Sequence, residues 1–108
     1  MFAPEIEAGY HDGALLLDVS RHEVYLIYRR EKVELTPTQF RLLMVLVRNA
    51  GIVLTTERLL ELVWGDAPIG PENLRKQIST IRRKLKGVGI QLIETVREFG
   101  YRYNPPRD

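Results

Sequence analysis

Residues 71–86, PENLRKQISTIRRKLK, constrain this chain more than any other stretch, because a helical repeat and a charge imbalance coincide there. Leu74, Ile78, Ile81 and Leu85 recur at steps of four, three and four, which aligns them on one narrow stripe of an α-helix. The opposite face carries Glu72, Lys76, Ser79, Thr80 and Arg83, flanked by Arg75 and Arg82. Six residues of the stretch are Lys or Arg and one is acidic, a net of +5, whereas the whole 108-residue chain carries only +2. A solvated helix normally interleaves several acids among its bases; here Glu72 is the only one. The apolar stripe is needed for a core, which leaves a basic face turned outward and suited to a polyanion. Calmodulin-type or membrane-surface binding would need that apolar stripe to be free.

The chain length suits one domain with its own core and leaves little room for a second. No apolar run approaches the roughly 20 residues of a membrane span. The opening MFAPEIEAGYHDG lacks the basic-then-apolar pattern of a secretion signal, so a cytoplasmic protein without membrane contact is expected. With no cysteine there is no disulfide framework, thiolate chemistry or cysteine-bound zinc. His11 and His22 have no partners at ligand spacing, so no metal and no cofactor is expected. Glu57 and Glu61 are an i, i+4 pair on a helix surface rather than a catalytic dyad, and no phosphate-cradling glycine loop occurs. The expectation is a protein that is not an enzyme.

Residues 1–13 read as a loose lead-in, 14–104 as the folded domain, and 105–108 as a tail after which Pro105 and Pro106 forbid further strand. Three short strands are expected at Ala14–Asp18, His22–Tyr28 and Lys32–Leu35, with Val24, Leu26 and Tyr28 on one face and Val33 and Leu35 inward. Thr36-Pro37-Thr38-Gln39 is a strong helix start: a capping threonine, proline in the first helical position, and glutamine completing a capping box. That helix runs to Gly51 and is apolar over most of its circumference, which requires cover on two sides. Ile52–Leu54 reads as an extended link, and Thr55 caps a second helix ending at Gly65, with Leu59, Leu60, Leu62 and Val63 inward. After the Asp66–Gly70 loop comes the basic helix, then a hairpin with strands at Ile90–Val96 and Tyr101–Tyr103.

Two helices joined by a short loop, the second basic and outward-facing, match a helix-turn-helix reader of the major groove. Lys76, Ser79, Thr80 and Arg83 are placed to read bases. Arg75 and Arg82 flank them, and a hairpin following such a helix acts as a wing, with Arg97 in its turn. A protein–protein interaction module, using the sheet or the apolar surplus around Met44 and Val45, is the alternative.

The segments LTPTQFRLLMVLVRNAG (35–51), the helix end from Leu59 to Trp64-Gly65, LRKQISTIRRKL (74–85) and TVREFGYRY (95–103) resemble the winged-helix DNA-binding domains of OmpR/PhoB-type response regulators, with similarity over about 14–103. The resemblance implies an α+β winged helix-turn-helix: a four-stranded N-terminal antiparallel sheet, three helices and a C-terminal β-hairpin wing, with the fourth strand somewhere in 2–13. It implies that 71–86 is the recognition helix, that 90–103 is the wing carrying Arg97, and that the Trp64 indole can face a phosphate; from their flanking positions Arg75 and Arg82 are expected, with Trp64 and Arg97, at the DNA backbone. It further implies direct-repeat double-stranded DNA sites, head-to-tail dimers on them, and RNA polymerase contact through 66–70, although that loop is short here. No receiver domain is recognisable, which leaves an excised C-terminal half or a stand-alone relative. Two residues depart from the family pattern: Gln39 stands where an acid is usual, and Glu98 where glycine is common, beside Arg97.

Overall fold

In the computed structural model, which describes residues 9–106, four short antiparallel strands come first: β1 (Tyr10–His11), β2 (Leu15–Asp18), β3 (Glu23–Leu26) and β4 (Glu31–Val33), side by side in that order. Leu17 pairs with Val24 and Val24 with Val33, which brings Leu15, Leu17, Val24, Leu26 and Val33 to the buried face. Leu16, Tyr25 and Lys32 line the other face. Strand β1 supplies the fourth strand within the lead-in, whose residues 1–8 lie outside the described ones.

The strands are shorter than their apolar runs. Strand β3 stops at Leu26 because the chain turns just beyond it: the Arg30 amide donates to the Ile27 carbonyl at 3.2 Å, and Arg30 takes a φ of +53°. Tyr28, expected to share a strand face with Val24 and Leu26, lies instead on that turn and is 55% exposed. Leu35 lies beyond β4 and is half-buried against the core.

Helix α1 (Pro37–Arg48) starts as its sequence dictates. Thr36 Oγ1 accepts from the Gln39 amide at 3.1 Å, and Gln39 Oε1 accepts from the Thr36 amide at 3.1 Å, a closed capping box contributing on the order of 1 kcal/mol. Leu42 and Met44 are buried along with Phe40, Leu43, Leu46 and Val47, while Val45 is half-buried. The apolar surplus near Met44 is therefore core, which removes one of the surfaces the protein-interaction alternative needs.

Leu54, expected to end a plain link, joins Thr55 in β5 (Leu54–Thr55), and Thr55 caps α2 (Thr56–Trp64) as expected, its Oγ1 accepting from the Arg58 amide. Leu59 and Val63 are buried and Leu60 packs beside them. Leu62, expected inward, is 39% exposed, since it falls at the edge of the stripe through Leu59 and Val63. Helix α3 (Pro71–Lys84) ends two residues before Lys86, whose φ of +52° breaks the spiral. A single tight turn (Lys86–Val88) and a short α4 (Gly89–Leu92) follow, then β6 (Ile93–Val96) and β7 (Gly100–Tyr103). Ile90, expected in the hairpin strand, lies in α4 and is exposed. Gly89 explains the helical turn: a Cβ there would collide with the Arg82 backbone, so the chain passes flush against α3. The second sheet has the order β5-β7-β6. The architecture is thus a winged helix-turn-helix with three long helices and one extra helical turn.

One carboxylate ties the two ends together. Asp12 Oδ2 accepts from the phenols of Tyr103 (2.7 Å) and Tyr10 (2.6 Å), and its Oδ1 accepts from the Ala14 and Leu15 amides. Tyr103 is fully buried. Burial first, and the Asp12 carboxylate second, push both phenols well above the usual tyrosine value of 10.0. The folded state therefore holds these protons more tightly than the unfolded state does. Their contribution is complete below pH 10 and is lost as pH rises beyond it. Urea midpoints measured between pH 8 and pH 11.5 should stay level to about pH 9 and then fall steeply. In Tyr103→Phe the fall should be shallower.

Candidate nucleic-acid interface

Helix α3 is positioned by its own apolar stripe: Leu74, Ile78, Ile81 and Leu85 are all buried. Pro71 occupies its first turn, Gly70 is its N-cap, and the Asn73 and Leu74 amides donate to the Gly70 carbonyl. Glu72 near the start and Arg82, Arg83 and Lys84 near the end suit the helix dipole. A second anchor was not legible in the sequence. The buried Gln39 donates through Nε2 to Gln77 Oε1 at 3.0 Å, fixing α3 against the start of α1. A neutral amide can accept at the cap and donate to Gln77 at once, which a carboxylate cannot.

The six bases of the stretch separate into two groups. Arg75 faces Glu72 at 3.4 Å, both well exposed, an ion pair weak enough to exchange. Arg82 turns toward the wing: Nε and Nη2 donate to the Ile93 carbonyl at 2.9 and 2.7 Å, and Nη2 to Thr95 Oγ1 at 2.8 Å. Partial burial pulls its guanidinium below the usual arginine value. Lys84 donates to the Glu34 carbonyl and Lys86 pairs with Glu31, tying the end of the stretch to the first sheet. Lys76 and Arg83 alone make no ion pair or side-chain hydrogen bond among the described residues, and both are exposed. Ser79 is exposed beside them and Thr80 is half-buried. The four residues expected to read bases thus share the outward side of α3.

The flanking residues are more scattered. Trp64 is half-buried at the end of α2 and packs against the core. In the wing, the Phe99 amide donates to the Val96 carbonyl at 2.9 Å, closing a turn in which Glu98 has a φ of +71°. That is the position where such a turn favours glycine. The Thr56 amide donates to the Phe99 carbonyl, so the turn is tied to the start of α2. Arg97 and Glu98 are both exposed, and no ion pair joins them among the described residues, so the carboxylate does not tie up the arginine. Between α3 and the wing lies an open groove of about 480 Å³, lined by Glu72, Arg75, Lys76, Ile78, Ser79, Arg82, Thr95 and Tyr101. In the Asp66–Gly70 loop only Ile69 is half-buried. No helix among the described residues is long and apolar enough to cross a membrane.

Residues 30–103 match the family model described as "Transcriptional regulatory protein, C terminal". Transcriptional regulatory protein AfsQ1 of Streptomyces coelicolor is 37% identical over 98 residues, covering 88% of this chain and 43% of the relative. The chain spans less than half the length of that relative. Among solved structures, response regulator DrrB, an OmpR/PhoB homologue from Thermotoga maritima, superposes with a TM-score of 0.78 at 30% identity, covering 89% of this chain and 44% of that one. The RstA DNA-binding domain of Klebsiella pneumoniae, solved in complex with its RstA box, superposes with a TM-score of 0.77 at 27% identity, covering 91% of this chain and 98% of that one.

Proposed function

Because the chain belongs to the family of C-terminal domains of transcriptional regulatory proteins, in its OmpR/PhoB branch, we propose that it binds double-stranded DNA sequence-specifically as the non-enzymatic effector domain of a two-component response regulator. The observation that carries this is the outward side of α3, where Lys76 and Arg83 are left without partners among the described residues while the helix itself is clamped in the core. Helix α3 lies in the major groove, where Lys76, Ser79, Thr80 and Arg83 read base edges. Trp64, Arg75 and Arg97 hold the backbone on either side. Residues 14–104 act as the DNA-binding unit, in the cytoplasm, with head-to-tail copies on direct repeats and the 66–70 loop turned toward RNA polymerase.

Selection of bound sequences from a random double-stranded pool tests this. Recovery of repeats about one helical turn apart is expected. A pool that stays random through repeated rounds would contradict it.

Glu98 should limit the wing. A left-handed backbone costs a non-glycine residue about 1 kcal/mol, and glycine's freedom in the unfolded chain cancels part of the gain. Glu98→Gly is therefore expected to raise the melting midpoint by roughly 3 °C. Removing the carboxylate beside Arg97 should also tighten DNA binding by about two- to fivefold at low salt, an effect that fades as salt is added.

A further inference from the structure

Arg82 was expected at the DNA backbone, yet its side chain is built into the joint between α3 and the wing. Strand β6 is an outer strand of the β5-β7-β6 sheet, and an outer strand leaves backbone carbonyls unpaired by any neighbour. Arg82 covers that edge. Its Nε and Nη2 grip the Ile93 carbonyl, Nη2 also reaches Thr95 Oγ1, and its Cζ lies 6.0 Å from the Tyr101 ring centroid on β7. The backbones meet at the same place, since no Cβ fits between Gly89 and Arg82. The planar fork of a guanidinium matches this two-pronged grip, and a lysine ammonium does not.

We propose that Arg82 is a positioning residue that sets the angle between α3 and the wing, so that Arg97 reaches DNA only while Arg82 holds β6, and that it is not itself a phosphate ligand. This rests on the DNA-binding reading above. Helix and wing then engage DNA as one rigid two-point reader, and the cost of losing the bracket is the loss of the wing.

The test uses Arg82→Gln, Arg82→Lys, Arg97→Ala and the double variant Arg82→Gln/Arg97→Ala, with affinity for a selected site measured across a salt series. Each single change at Arg82, lysine included, should weaken binding by about tenfold and to the same extent as Arg97→Ala, and the double variant should be no weaker than either. The slope of log affinity against log salt should drop once, by the same amount in every variant, at about 0.9 for each phosphate that is no longer neutralised. Additive losses, a second drop in slope in the double variant, retention of affinity by Arg82→Lys, or an Arg97→Ala variant that binds normally while Arg82→Gln does not would each overturn the proposal. If Arg82→Gln does not fold, Thr95→Val removes one acceptor from the wing side, and its loss should likewise vanish in the Arg97→Ala background. Wild-type protein that binds no selected DNA would sink the functional reading itself, whereas normal wild-type binding with uncoupled variants would sink only the bracket.

Discussion

Gly100→Ala is expected to lower the unfolding free energy by about 3 kcal/mol, near the upper end of the usual overpacking cost. Gly100 opens β7 opposite Thr55, and an added Cβ would fall on the Leu54 carbonyl, with the Leu54 carbonyl carbon and Thr55 Cα only 2.9 Å away. These are backbone atoms, so no side chain can rotate aside. The substitution must push β5 off β7 and, through the Thr56 amide that donates to Phe99, loosen the wing turn from α2. Gly51→Ala is the useful comparison. Its φ is +84° but nothing lies within 4 Å, so it should cost only about 1 kcal/mol of backbone strain. Urea midpoints of the two variants measure the difference. A Gly100→Ala midpoint equal to that of the parent would show that β5 and β7 are not packed this closely.

Local signals were legible and distant ones were not. Thr36 and Gln39 are three residues apart, and their capping box forms as their identities require. The stripe from Leu74 to Leu85 needed only helical spacing, and all four residues are buried. By contrast, the apolar run around Ile90–Leu92 fits a strand or a helical turn equally well, and what decides between them is the close approach of Gly89 to the Arg82 backbone on the preceding helix, which no periodicity reveals. Leu54–Thr55 is too short to show alternation, and it becomes a strand only because β7 lies beside it. Asp12 looked like an ordinary polar residue in a lead-in, although it bonds Tyr103 from 91 residues away. In the candidate site, the outward residues of α3 followed from periodicity. The duties of Arg82, Gln77 and Lys84 did not, because each partner is on another element.

The other large effect is on recognition. Lys76→Ala and Arg83→Ala should each weaken binding to a selected site by about 1–3 kcal/mol, roughly five- to 150-fold. Neither side chain has a partner among the described residues, so neither substitution should lower stability beyond the few tenths of a kcal/mol usual for exposed residues. On random DNA both variants should lose far less, which is what separates reading a base from holding a phosphate. Equal losses on selected and random DNA would move Lys76 and Arg83 to the backbone. A large drop in melting midpoint would instead give them a structural duty that their surroundings do not display.

The central claim is that the outward side of α3 lies in the major groove. Because the chain has no cysteine, a single one can be placed without interference. Ser79→Cys, carrying a tethered DNA-cleaving reagent, should cut a selected site within a few base pairs of its centre, with the strand offset of a major-groove origin. The same reagent at Lys32→Cys, on the outer face of the first sheet, should leave that site intact. Cleavage from position 32 and none from position 79 would contradict the account.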